Sequence, residues 1–261
     1  MADSILSGPV DASCGGNSMN IHTTKIMDAC RDKDCVEDLR VYPTVSSQAV
    51  IDSAFSVRPE AATLISADVN VDEIGFNRGY YTVDVTYFYL VTGETFPGGV
   101  PVRGLAVFDK RVILYGSEGS VKSFSSRNAL SPGICGVVGP VAVVDAVDPI
   151  ALNMRIAEPV QPKDTELRTI PDAIIETIGE DIDLSSRGRR LYVTLGQFSV
   201  IRLERDFQLS LGHADNYLPN KECVGSSDDD PCTLFSRVSF PVDEFIPPDS
   251  MPKDETYRDL V

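Results

Sequence analysis

The chain has no tryptophan and only two histidines in 261 residues. So small a histidine count leaves little for imidazole acid–base chemistry or for a His-rich metal site. No uninterrupted apolar run approaches the roughly 18–20 residues that span a bilayer as a helix. Basic residues are scarce too, with 23 Lys and Arg against 39 Asp and Glu, for a formal net charge of -16. The densest basic cluster, Arg187, Arg189 and Arg190, is too short for a phosphate-binding footprint, so a nucleic-acid partner is excluded. The glycine-rich stretches Gly116–Ser120 and Gly133–Gly139 fit neither a P-loop nor a G-x-G-x-x-G turn, and there is no G-x-S-x-G elbow or H-E-x-x-H. Residues 46–157 and 160–240 share no motif, so internal duplication is unsupported.

What remains is the composition of a folded protein, 43% hydrophobic, with enough apolar side chains for a core. Residues 46–57 read as a short helix, with Val50, Ile51, Ala54 and Phe55 on one face and Ser46 or Ser47 as its cap. A second helix fits residues 171–179, opening at Pro171-Asp172 and stopping at Gly179. Most of the rest has the β-branched and aromatic character of strands: 63–71, 80–91, 100–108, 111–116, 119–124, 137–147, 150–157 and 191–211. Asp109-Lys110 is expected to form a tight turn between two of them, and Gly196 or Glu204–Asp206 to bend the last. In 80–91, Tyr81, Val83, Val85, Tyr87 and Tyr89 share one face.

The predicted fold is therefore mainly β. It is a sandwich or barrel-like body with two short helices, an extended N-terminal arm (1–45) and a Pro-rich acidic tail (241–261). The body, 46–240, divides naturally into 46–157 and 160–240. In the tail, Phe245, Ile246, Met251, Tyr257 and Leu260 are candidate anchors on a neighbouring subunit.

Six cysteines are spread unevenly. Cys14, Cys30 and Cys35 are candidates for cross-linking or for stapling the arm, and Cys223 and Cys232 for a local bridge. That bridge would close a short loop and contribute about 2–3 kcal/mol in the chain-entropy account. Cys135, in GICGVVG, fits a small apolar role, since its only possible bases, His22 and His213, lie far apart in sequence. Cys14, His22, Cys30 and Cys35 form a candidate zinc set, but with irregular spacing. Asp228, Asp229 and Asp230, like Asp68, Asp72 and Glu73, are acidic turns that suit a divalent cation without matching an EF-hand. No organic cofactor is expected.

Four segments carry a family likeness: CRDKDCVEDLRVY (30–42), GFNRGYYTVDVTYFY (75–89), FDKRVILYGSEGSVKSFSS (108–126) and LYVTLGQFSVIRLERDFQLSL (191–211). Together they resemble a largely uncharacterised family from endospore-forming Firmicutes. The resemblance implies no catalytic residues. It implies a setting: a spore coat, exosporium or surface appendage. The first residues, MADSIL, have no charged n-region or apolar h-region, which fits synthesis in the cytoplasm without signal-led export, and assembly at the spore surface.

The expectation is thus a self-assembling structural protein whose partners are other copies of itself and other surface-layer proteins. Arg31, Lys33, Arg40 and Arg78 are candidate contacts to an acidic neighbour. The alternative is a β-sandwich binding module or enzyme acting on carbohydrate or peptide, with Tyr80, Tyr81, Tyr87 and Tyr89 as its aromatic platform.

Overall fold

The computed structural model describes residues 19–118, 121–122, 137–158, 170–184, 188–211, 235 and 238–245. Its strands are β1 (Met19–Pro43), β2 (Ser56–Glu73), β3 (Tyr80–Phe96), β4 (Pro101–Tyr115), β5 (Val121–Lys122), β6 (Val137–Val138), β7 (Val141–Ala146), β8 (Ile150–Ala157) and β9 (Arg190–Leu211). Among the described residues they are accompanied by α1 (Val45–Ser53), α2 (Asp172–Ile178) and a single turn, α3 (Val242–Phe245).

Seven strands form one antiparallel sheet in the order β2-β3-β4-β1-β9, with β7 and β8 following one another along the far edge of β9. β8 then runs beside β2, so the sheet curls into a nearly closed barrel. No ladder joins the β2 and β8 edges. Where they meet, the Leu64 N–H at a bulge in β2 donates to Asp148 Oδ1 at 2.8 Å. Both sheet edges are therefore turned towards each other.

Inside the barrel the alternation of β3 is decisive. Tyr81, Val83, Val85, Tyr87, Tyr89 and Val91 all point inward and are buried. They meet Val102, Val112 and Leu114 of β4 and Leu191, Val193, Leu195, Ile201 and Leu203 of β9. Outside, Phe88, Leu105 and Val107 form a second cluster with Ile170, Ile174 and Ile178, which seats α2 on the β3–β4 face. Gly179 ends α2 at φ 76°, the left-handed conformation that a glycine adopts without steric cost.

α1 covers one end of the barrel through Ile51. Its cap is Thr44, two residues before Ser46 and three before Ser47, the expected caps; the Thr44 hydroxyl accepts from the Ser47 N–H at 3.3 Å and donates to Ser47 Oγ at 2.8 Å. Thr44→Ala is expected to lower stability by about 1–2 kcal/mol, because both bonds are buried; thermal unfolding of the variant checks this.

Several expectations change. Residues 19–43 of the expected arm are not peripheral, since β1 lies between β4 and β9 in the middle of the sheet. Residues 101–115 are one strand, with Asp109 and Lys110 in the middle of it rather than at a turn. Residues 137–147 are split at Gly139-Pro140 into β6 and β7, and β9 is a single strand. Its register irregularities fall in its partners, at Ile26/Asp28 and Val36/Leu39 of β1 and at Ala151/Asn153 of β8. Gly196 is there for a different reason: a Cβ would lie 2.6 Å from the Phe235 ring, which rests against it.

Candidate functional site

The first sign of a site is a lysine where a core residue belongs. Lys110 occupies an inward position of β4, four residues after Ala106 and two before Val112, both in the core. Its Nζ touches Asp32 Oδ2 and lies 2.5 Å from Asp34 Oδ2. The two aspartates are alternate residues of β1 and so face the same way, with Lys33 between them turned outward. All three side chains are largely buried, at 10%, 6% and 16% exposure.

Backbone geometry explains why they meet. β1 and β4 are hydrogen-bonded only at Val41–Pro43 with Gly104–Ala106. They touch again where the Tyr115 N–H donates to Asp28 Oδ2 at 3.1 Å. Between those points β1 runs from Asp28 to Val41 while β4 covers only Tyr115 to Ala106. The surplus goes into the β1 bulge, where Asp38 takes φ 48° and pairs with Arg155 at 2.7 Å. That bond, with the Arg155 charge, holds the Asp38 carboxyl below the usual carboxylate range. The two strands separate, and Lys110 with its two carboxylates fills the gap.

The surroundings are mostly apolar and aromatic, with the buried Ser199 and Gln197 of β9 directly across the ladder from Asp32 and Asp34. Tyr87 stacks between Tyr89 and Phe108, with ring centroids 6.1 Å away on each side. The Tyr87 and Ser199 hydroxyls lie close together but outside hydrogen-bond geometry, and the Tyr89 hydroxyl has no hydrogen-bond partner. Burial raises Asp34 to about 6 and lowers Lys110 to about 8. Burial also raises Tyr87 to about 12 and pushes Tyr89 up further. Every shift favours the uncharged form, as desolvation demands.

The sequence-based candidates are not gathered here. Cys30 and Cys35 are five residues apart on a strand, with Cα atoms about 16 Å apart at ~3.3 Å per residue. That rules out a bridge between the two, and neither cysteine is free. His22 is exposed and lies further along the same strand, so His22, Cys30 and Cys35 cannot converge on one ion. Among the described residues no group of three or more His, Cys, Asp or Glu is arranged to hold a metal. Cys14, Cys135, His213, Cys223, Cys232 and Asp228–Asp230 lie outside the described residues.

Of the proposed assembly contacts, Arg31 sits over the Phe240 ring and Arg40 over Tyr42. Lys33 donates to Val238 O at 2.7 Å and lies over Phe235. These three are thus held within the chain, and Arg78 is exposed at the β2–β3 turn. Phe245, expected to reach a neighbour, stacks on Phe240, which itself packs on Phe198. The aromatic platform is also corrected: Tyr81, Tyr87 and Tyr89 are inside the barrel, and only Tyr80 reaches the surface.

A pocket of about 230 Å³ lies on the outer face beside α2, lined by Asp68, Thr86, Phe88, Val107, Asp109, Ile170 and Pro171. It is smaller than the roughly 300–1,000 Å³ usual for small-molecule sites. No helix among the described residues is long and apolar enough to cross a membrane. The chain matches no family model, no curated protein and no solved structure.

Proposed function

We propose that this chain is a structural protein that associates with its own copies end to end, as a subunit of a spore- or cell-surface layer or fibre. The observation that carries the reading is the location of its exposed apolar side chains. At the α1 end of the barrel, Phe55 is 81% exposed and Phe96 67%, with Val45 and Val100 beside them. The Phe55 N–H donates to Phe96 O at 2.9 Å, so the two form one rim. At the opposite end, where β3 begins and β4 finishes, Phe76 is 95% exposed, together with Tyr80, Ile113, Tyr115, Ile26 and Phe207. There β1 and β9 continue together as a ribbon from Met19–Ile26 and Glu204–Leu211.

Two different apolar ends on one subunit suit a heterologous contact, which propagates into fibres instead of closing as a dimer. A two-stranded ribbon is marginal alone and gains from an added neighbour. In this reading, Cys30 and Cys35 form bridges to other cysteines of the chain, not to each other.

A net charge of -16 makes copies repel, and salt weakens that repulsion as the screening length contracts from about 30 Å at 0.01 M to about 10 Å at 0.1 M. Light scattering and electron microscopy should therefore show oligomers that lengthen with salt. The double variant Phe55→Asp/Phe96→Asp should return them to monomers. A wild-type chain that stays monomeric at every salt concentration overturns the proposal.

A further inference from the structure

We propose that Lys110 and Asp32 condense within the folded chain into an isopeptide bond, with Asp34 as the proton-transferring carboxyl, so that β1 and β4 become covalently joined. The inference is independent of how copies assemble. It rests on a buried arrangement with three parts: an amine in contact with a carboxyl group, a second carboxyl 2.5 Å from the amine, and apolar walls that exclude competing solvent.

Each part has a chemical task. The nucleophile must be a neutral amine, and burial lowers Lys110 to about 8, which leaves roughly a tenth of it neutral at pH 7. The electrophile must be an uncharged carboxyl, because a carboxylate resists attack. In this site a proton passing from the ammonium of Lys110 to Asp32 produces amine and acid together. Asp34, raised to about 6 by burial, can both accept and return a proton near neutrality.

The Nζ lone pair attacks Cγ of Asp32, forming the Nζ–Cγ bond. Asp34 takes a proton from Nζ and delivers it to the departing hydroxyl. The Cγ–Oδ2 bond breaks, Oδ2 leaves as water, and Asp34 ends as it began. Amine and carboxylic acid become a secondary amide and one water, with nothing oxidised or reduced.

Two physical features drive it forward. The reactants are held in contact by two strands, which replaces a bimolecular encounter by an intramolecular one with effective molarities that reach ~10⁵–10⁸ M. Condensation also removes a buried cation and a buried anion, whose desolvation the fold otherwise bears.

The test is the intact mass of the full-length wild-type chain after reduction and denaturation, followed by peptide sequencing. The expected result is a mass lower than the sequence mass by one water, about 18 Da. Proteolysis should give a branched peptide that joins the Lys110 and Asp32 segments. Lys110→Arg keeps the positive charge but offers no condensing amine, and Asp34→Asn removes the proton carrier; both should show the full sequence mass. The proposal is overturned by a wild-type chain at full mass, or by a water lost from a linear peptide as a cyclic imide. It is overturned equally by an Asp34→Asn chain that condenses as completely as wild type.

Discussion

Replacing Lys110 by methionine is expected to cost about 3–5 kcal/mol of stability relative to the uncondensed wild-type chain, the usual penalty for removing one partner of a buried charge set. The methionine fills the lysine volume, so the loss is electrostatic rather than a cavity. Asp32 and Asp34 are left facing each other in a space lined by Tyr87, Tyr89 and Val85. For a chain of this size, the deficit corresponds to a fall in Tm of roughly 6–20 °C, at about 2–4 °C per kcal/mol. Urea unfolding should show a lower midpoint with an unchanged slope.

The deficit should depend on pH in a defined direction. Asp34 titrates above its ordinary value of 3.8, at about 6. A carboxyl whose folded pKa is raised contributes stability that is complete below the unfolded value and is lost as pH rises through the folded one. Without the Lys110 charge, Asp34 holds its proton more tightly in the variant than in the wild type, so acidification from pH 7 towards 4 should narrow the gap between them. Replacing both aspartates by asparagine alongside Lys110→Met should recover most of the loss at neutral pH, because no buried charge is then left unpaired.

The second large effect is expected at Gly104. A Cβ there would come within 2.6 Å of Val41 Cγ1, 2.7 Å of the Tyr42 carbonyl oxygen and 2.9 Å of the Pro43 Cα. Two of these atoms are backbone, so no rotamer change relieves the contact. Gly104 also belongs to the only ladder that joins β1 to β4. Gly104→Val is therefore expected to push the strands apart and cost about 3 kcal/mol or more, at the upper end of what overpacking usually does. Amide hydrogen exchange should localise the damage, with protection lost at Thr44, whose N–H donates to Arg103 O, before it is lost in β2 and β3.

Where strands carry their own signature, the sequence is a good guide. The run 80–91 alternates cleanly, and its inward set Tyr81, Val83, Val85, Tyr87 and Tyr89 is the inward set of β3. Both principal helices lie close to where spacing and caps place them. β1 is a different matter. MNIHTTKIMDACRDKDCVEDLRVYP carries lysines, arginines and acids throughout, and no local rule makes such a run a central strand. Its acids are tolerated inside only because Lys110 arrives from β4, and that lysine was itself misleading: next to Asp109 it resembles a turn. The two misreadings share one cause, a charge compensation between residues 76 or more positions apart, which no window along the chain contains. Barrel closure is hidden for a similar reason, since no ladder joins β2 to β8 and the Leu64 hydrogen bond at that seam goes to Asp148, in the connection that precedes β8.

The pairing of Met19–Val41 with Leu191–Leu211 has a consequence for how the protein is made. Among the described residues, the first strand to leave the ribosome is completed by the last. At about 5–20 residues per second, β1 waits roughly 10–40 s for its main partner to be synthesised. During that interval β2, β3 and β4 can form a meander, because each is hydrogen-bonded to its sequence neighbour. A chain that stops before residue 190 would lose the neighbour of its middle strand rather than an edge. Translation must therefore pass residue 211 before the barrel can be completed.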